Sequence, residues 1–250
     1  MKTLLQALSF LTILPVGHAS LSGEKELAGS MVFFPLVGLI IGLILTLGYY
    51  LFSFLFSRSL ALWLVIGLLA FLTRGLHLDG LADTVDGLAS GGTKEKILEV
   101  MRDSRIGAFG VISLILIVGA KYFCLDQISD SSLPCSFIVM SILGRNAMVL
   151  VCYRSSYARR EGLAKPFIEH LRTHEVAVSF LSTLGITLLL MRLQGIVAFV
   201  GVGLFSLGCR FFFKRRLEGI TGDILGATNE LSEVLCLLIL IAFESLSPAT

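Results

Sequence analysis

Apolar runs near or above the ~18 residues needed to cross a bilayer recur along this chain, and that recurrence constrains its fold more than any other feature. Inside lipid, backbone N–H and C=O groups must be satisfied within the protein, so continuous apolar runs of this length fold as helices. Seven candidate spans can be marked: residues 30–56, 60–73, 106–125, 133–152, 176–191, 195–213 and 224–243. The second is short and is expected to continue past Arg74 into the polar segment that follows. Composition agrees, with 55% hydrophobic and only 15% charged residues, against roughly 25% charged in ordinary soluble domains. Soluble, disordered and disulfide-stapled folds are excluded. With no internal repeat and no low-complexity linker, the expectation is one all-α, polytopic membrane-embedded domain over residues 1–250, a helical bundle of about seven transmembrane helices.

The N-terminal stretch resembles a secretory signal, with Lys2 ahead of an apolar segment. Gln6, Ser9 and Thr12 interrupt it and Pro15 and Gly17 end it, so an interfacial or re-entrant helix is expected instead. Net charge is only +2 and there is no basic tract, which argues against a nucleic-acid partner. The five cysteines are scattered through apolar stretches without CxxC spacing and read as small core or lipid-facing residues.

Lysine and arginine placement orients the bundle. Arg74, Lys94, Lys96, Arg102 and Arg105 lie in one loop segment. Arg154, Arg159, Arg160, Lys165 and Arg172 lie in another, and Lys214, Arg215 and Arg216 precede the last span. With seven spans all three groups share one side with Lys2 and Lys25, and only Arg58 and Arg192 fall opposite, beside Asp126 and Asp130. The N-terminus is therefore expected in the cytoplasm and the C-terminus outside. In this reading the basic loop around Arg159, Arg160 and Lys165 is an orientation signal ahead of a phosphate site.

Chemistry concentrates on the same side. In Thr73-Arg-Gly-Leu-His-Leu-Asp-Gly-Leu-Ala-Asp-Thr-Val-Asp-Gly-Leu88, the acids Asp79, Asp83 and Asp86 fall at helical spacing on one face. Stacked carboxylates repel unless a cation or arginine lies between them. Hard oxygens in a cluster suit Mg²⁺ or Mn²⁺, which keeps waters and binds substrate phosphates. That points to phosphoryl-group chemistry, with a solvated helix end as the structural alternative. His77 can orient an acid or shuttle a proton, or be a plain helix-face histidine.

A second element, Met101-Arg-Asp-Ser-Arg-Ile-Gly-Ala-Phe-Gly110, offers Asp103 to complete a metal site and Arg105 to hold a phosphate. It reads equally as a helix N-terminus with a local ion pair and packing glycines Gly107 and Gly110. In the third, Glu218-Gly-Ile-Thr-Gly-Asp-Ile-Leu-Gly-Ala-Thr-Asn-Glu230, Thr221 or Asp223 can cap the last span. Capping does not explain Asn229 and Glu230, nor Arg145 and Asn146 inside the fourth span. Ionisable groups at membrane depth face a partner or a wet cavity. Arg145 is thus expected to meet an anion, either Glu230 or a substrate diphosphate.

The string HLDGLADTVDGL, followed by MRDSRIGAFG and GITGDILGATNE, resembles the cobalamin synthase family, the adenosylcobinamide-GDP ribazoletransferases. The pieces FLTILPV and FFPLVG resemble that family's opening, and the likeness covers nearly the whole chain. The resemblance implies a Mg²⁺-dependent membrane enzyme of the last assembly step of vitamin B12, at the bacterial inner membrane with its site facing the cytoplasm. It would join adenosylcobinamide-GDP to α-ribazole or its 5′-phosphate and release GMP. Asp79, Asp83, Asp86 and Asp103 match the family's acidic positions, and Asp223 its C-terminal motif. The expected roles are Asp79, Asp83 and Asp86 as metal ligands and Asp103, His77 or Asp83 in catalysis. Arg105, Arg145, Thr221, Asp223, Asn229 and Glu230 are the expected substrate contacts. Two other readings are weaker. A CDP-alcohol phosphotransferase needs an arginine where Asp83 follows Ala82, and a cation-coupled transporter would carry broken helices in paired repeats.

Overall fold

The computed structural model describes residues 2–15 and 23–246, and apart from one isolated backbone bridge between Tyr157 and Ile220 its regular structure is helical. In chain order the helices are α1 (Lys2–Leu11), α2 (Glu24–Gly29), α3 (Phe34–Leu55), α4 (Arg58–Leu72), α5 (Leu76–Ala89) and α6 (Lys94–Val100). They continue with α7 (Ala108–Gln127), α8 (Leu133–Cys152), α9 (Lys165–His170), α10 (Thr173–Leu217) and α11 (Gly222–Leu246). A single 3₁₀ turn, Ser30–Phe33, leads into α3, whose Pro35 sits in the first turn where a missing N–H is tolerated.

Among the described residues five helices are long and apolar enough to cross a membrane, and a sixth span forms if α4 and α5, bent by 85°, are taken together. α10 contributes two segments. Arg192 lies at φ 48°, ψ −126°, outside helical geometry, and the chain doubles back there. The rings of Phe180 and Phe199 are 4.7 Å apart, whereas a straight helix would hold them about 28 Å apart. A side chain at Gly195 would strike the Thr187 carbonyl for the same reason. Counted this way, the membrane segments number about seven, as the hydropathy pattern predicts.

α8 is the central helix, with α3, α10 and α11 packed around it. It is buried along almost its whole length, including the polar Ser141, Arg145 and Asn146. α3, α7 and α10 expose leucines and phenylalanines along their outer faces, as lipid-facing helices do. The loops sort into two ends. At one, Arg58 donates to the carbonyls of Leu125 and Ile128, and Ser129 donates to Glu244 near the end of α11. At the other, Lys94 pairs with Glu218, Arg216 donates to Gly92, Arg159 donates to Met101 and His170 meets Glu24. The three basic loop segments thus gather at one end, as the charge pattern predicts.

α1 docks at that basic end. Ala7, Leu8 and Leu11 are buried, and Phe10 packs on Phe34 and Phe167. Past its end the Ile13 N–H donates to Leu72 and the Arg74 guanidinium to the Ser9 carbonyl. The expectation of a short N-terminal helix that does not span holds over Lys2–Leu11. Gly17, the other expected stop signal, lies outside the described residues.

Candidate functional site

The site begins at the break between α4 and α5. Arg74 and Gly75 both adopt left-handed backbone conformation, at φ 56° and 66°. The Gly75 N–H reaches back to Ala70 and closes the end of α4. Two such residues in succession swing the chain by 85° and aim α5 across the bundle. Hydropathy continues through this break, so the sequence presents α4 and α5 as one span running into a polar segment.

α5 then crosses the start of α11 at van der Waals distance. A Cβ on Gly80 would lie 2.7 Å from the Asp223 carbonyl, and one on Gly226 would lie 3.1 Å from the His77 backbone. The glycines beside the acids therefore let two backbones meet. The crossing brings Asp223 from α11 to Asp79 and Asp83 from α5, and the charges of Asp79 and Asp223 both act on Asp83. Arg159, mostly buried, closes the group. Its Nη2 lies 2.7 Å from Asp223 Oδ2 and also donates to the Met101 carbonyl, while its Nε has no partner. Arg159 is one residue that sequence reasoning does not single out: among four other loop cations it reads as an orientation signal ahead of a phosphate site, and only the fold selects it.

Two cavities meet at Asp79. The larger, ≈ 980 Å³, lies between α1 and α5, with Gln6, Ser9 and Phe10 on one wall and Leu78, Asp79 and Ala82 on the other. The smaller, ≈ 240 Å³, is lined by His77, Asp79, Tyr157, Arg159, Asp223 and Gly226 among others. Phe10, Leu76, Asp79 and Leu163 border both. His77 is buried with neither ring nitrogen hydrogen-bonded.

Asp86 is placed differently from its neighbours. Its carboxylate accepts the Gly107 and Gly110 N–H groups, each at 2.7 Å, at the start of α7. Both its oxygens are thus engaged in capping that helix. Gly107 and Gly110 are glycines because any Cβ there would collide with this carboxylate. Asp86 thus has a structural use that Asp79 and Asp83 lack, with one N–H on each of its oxygens.

Asp103 and Arg105 are not brought to the carboxylates. Arg105 donates to Asp103 through its backbone N–H and its guanidinium, the latter at 3.0 and 2.7 Å, on an exposed loop. These bonds hold the Asp103 carboxyl down at about 2, which makes it a poor proton acceptor. Of the two expected readings of this segment, the local ion pair is the one the structure forms.

Thr221 caps α11, its hydroxyl accepting the Ile224 N–H at 3.3 Å and donating to Asp223. Arg145, Asn229 and Glu230 belong to a separate buried network. Lys121 pairs with Glu230 at 2.7 Å and with Glu233; Arg145 pairs with Glu233, not Glu230; Asn229 donates to Glu233 at 3.1 Å. Neither Arg145, Asn229 nor Glu230 borders the two cavities at Asp79. What the structure shows for them is mutual neutralisation inside the bundle. Lys121 and Glu233 were missed because a single lysine in an apolar run, and an acid one turn beyond a motif, carry no pattern of their own.

The cobalamin-5-phosphate synthase family profile matches residues 3–241. An adenosylcobinamide-GDP ribazoletransferase of Geotalea daltonii is 40% identical over 94% of this chain and 95% of its own. The enzyme of the same name from Syntrophobacter fumaroxidans is 42% identical over 92% and 94%, and that of Klebsiella pneumoniae 38% over 96% and 99%. No solved structure matches the chain.

Proposed function

The chain belongs to the cobalamin-5-phosphate synthase family, and from that premise we propose how the Asp79–Asp223 junction works. The protein is a multi-pass membrane transferase that joins adenosylcobinamide-GDP to ribazole in the final assembly of cobalamin. The observation that carries the siting is the glycine-mediated crossing of α5 and α11, which sets carboxylates from two helices beside Arg159 where two cavities meet.

Asp79, Asp83 and Asp223 would hold Mg²⁺. Among the described residues no three His, Cys, Asp or Glu side chains form a ready metal cage. The donor set nonetheless fits an ion that is bound through one or two carboxylates and completes its shell with water and phosphate oxygens. When bound, such an ion offsets the negative charge of a diphosphate and steadies a departing phosphate. Arg159, already tethered through Asp223, offers its free Nε and planar fork to phosphate oxygens. In the transfer, the ribazole hydroxyl oxygen bonds to the cobinamide-side phosphorus, the P–O bond to GMP breaks, and the hydroxyl proton passes to a base. His77 borders the smaller cavity with both ring nitrogens free of hydrogen bonds and is placed to orient that hydroxyl.

The site is assigned to the cytoplasmic face of a bacterial inner membrane, because most of the lysines and arginines of the loops gather at its end of the bundle. Either α-ribazole or its 5′-phosphate can serve as the acceptor in this scheme.

The test is release of GMP by purified protein in detergent from both substrates together. Release is expected to need Mg²⁺ and to fall at least about a hundredfold in Asp83→Asn. Full activity of Asp83→Asn in Mg²⁺, or full activity of the wild type in excess chelator, overturns the siting.

A further inference from the structure

We propose that the ≈ 980 Å³ cleft between α1 and α5 seats the corrinoid macrocycle of adenosylcobinamide-GDP, with the carboxamide of Gln6 reading its amide-bearing edge. This rests on the transferase reading above and goes beyond it by placing one substrate.

Transfer to a phosphorus held at Asp79 requires a large body and a nucleoside to approach the same point. The two cavities that share Asp79 differ fourfold in size, ≈ 980 against ≈ 240 Å³. Only the larger can take a macrocycle. The smaller carries Tyr157, Arg159 and Asp223 on its wall, where a phosphate of the nucleotide would meet a guanidinium.

The wall chemistry points the same way. Most of the larger cleft is apolar, from Phe10, Leu78, Ala82 and Leu114, which suits the methylated faces of a corrin. Its edge carries primary amides, and these need hydrogen-bonding partners. Gln6 supplies one. It is 6% exposed, borders the cleft, and its amide oxygen has no partner in the protein. A buried, unsatisfied amide is destabilising unless something answers it. An acyl chain from the bilayer could fill the apolar part but has no donor for Gln6. α1 is also fixed in place for such a role, through the bond from Arg74 to the Ser9 carbonyl and the packing of Phe10 on Phe167.

Two variants test the assignment. Gln6→Leu removes the amide at similar volume. Ser9→Trp fills the cleft from an exposed side chain, so folding is not at risk. Each is measured for KM toward adenosylcobinamide-GDP and toward ribazole, and for direct retention of adenosylcobinamide by visible absorbance in equilibrium dialysis. Gln6→Leu is expected to raise the corrinoid KM about fivefold, and Ser9→Trp about tenfold or more. Corrinoid retention should weaken in parallel while the ribazole KM stays put. A corrinoid KM within twofold of wild type in Ser9→Trp overturns the cleft assignment and leaves the transferase standing. An equal rise in both KM values also overturns it, since that marks general damage. If wild-type protein releases no GMP from the two substrates, the transferase reading falls and the cleft assignment with it.

Discussion

Replacing Glu233 by Gln tests whether the buried charges of α7, α8 and α11 act as a neutral set. Lys121 and Arg145 face Glu230 and Glu233, two charges of each sign, all of them at least 95% buried by side chain. Glu233 holds the centre: it accepts from Lys121, Arg145 and Asn229. In Glu233→Gln, Lys121 keeps Glu230 at 2.7 Å, but Arg145, fully buried, loses its only anion. Breaking a buried pair from one side costs about 3–5 kcal/mol. The lower figure is apt inside a membrane bundle, where neighbouring groups find substitute partners. About 3 kcal/mol corresponds to roughly 6–12 °C in the unfolding midpoint of a chain this size. Glu230→Gln should cost less, because Lys121 retains Glu233 and no cation is left alone.

The decisive comparison is the double variant Arg145→Met with Glu233→Leu. It removes one positive and one negative charge together and leaves Lys121 with Glu230. Replacing a whole buried pair with apolar side chains is often close to neutral, so the double variant should recover most of what Glu233→Gln loses. The assay is the apparent melting midpoint in detergent at a fixed scan rate, with GMP release measured alongside. Equal losses in Glu233→Gln and Glu230→Gln would refute the reasoning. So would a double variant as unstable as the sum of Arg145→Met and Glu233→Leu alone.

Asp86→Asn should lose about 1–2 kcal/mol from the cap of α7 and leave the Mg²⁺ dependence of GMP release unchanged, read by melting and a metal titration; a shift in metal affinity would return Asp86 to the ligand set. Gly80→Ala should cut activity about a hundredfold, because its methyl would meet the Asp223 carbonyl and part the two acid-bearing helices; near-normal kcat would show that the crossing is not needed. Asp103→Asn should retain activity, and its pH profile should overlay the wild type between about pH 5 and 9. Arg105 holds that carboxyl down at about 2, so what the pair contributes is present above the ordinary carboxylate range and is lost only as pH falls toward that value. A new inflection in this window would place Asp103 in the chemistry.

How far the sequence discloses this fold depends on whether a feature repeats. Apolar runs repeat, and the spans follow from them with boundaries close to those observed. Basic loops repeat as well, and they gather at one end as expected. The bend at Arg74 and Gly75 is a single event inside an unbroken apolar-to-polar transition, and only backbone conformation reveals it. The reversal at Arg192 was bracketed by the hydropathy dip between residues 191 and 195, although an arginine at φ 48° is not a residue that announces a turn. At the site, helical spacing put three acids on one face, but spacing does not say what stands opposite. Asp79 and Asp83 face Asp223 across a glycine crossing, whereas Asp86, one turn further, faces the N–H groups of α7.

The 15% of charged residues therefore divides by what desolvates it. Lys121, Arg145, Glu230 and Glu233 are buried within the bundle and neutralise one another, with Lys121 and Glu230 bordering only a small cavity of ≈ 160 Å³. Asp79, Asp223 and Arg159 line the cavities that meet at Asp79, and Asp83 lies within reach of their charges; three acids against one base leave a surplus of negative charge that favours a cation. His77 lies between the sets, on the cavity side yet close enough for the charges of Arg145, Glu233 and Lys121 to reach it. Disturbing the buried set should thus be felt at the site through His77. Glu233→Gln is the variant in which a loss of stability and a change in the pH profile of GMP release should appear together, whereas Glu230→Gln should leave that profile closer to wild type.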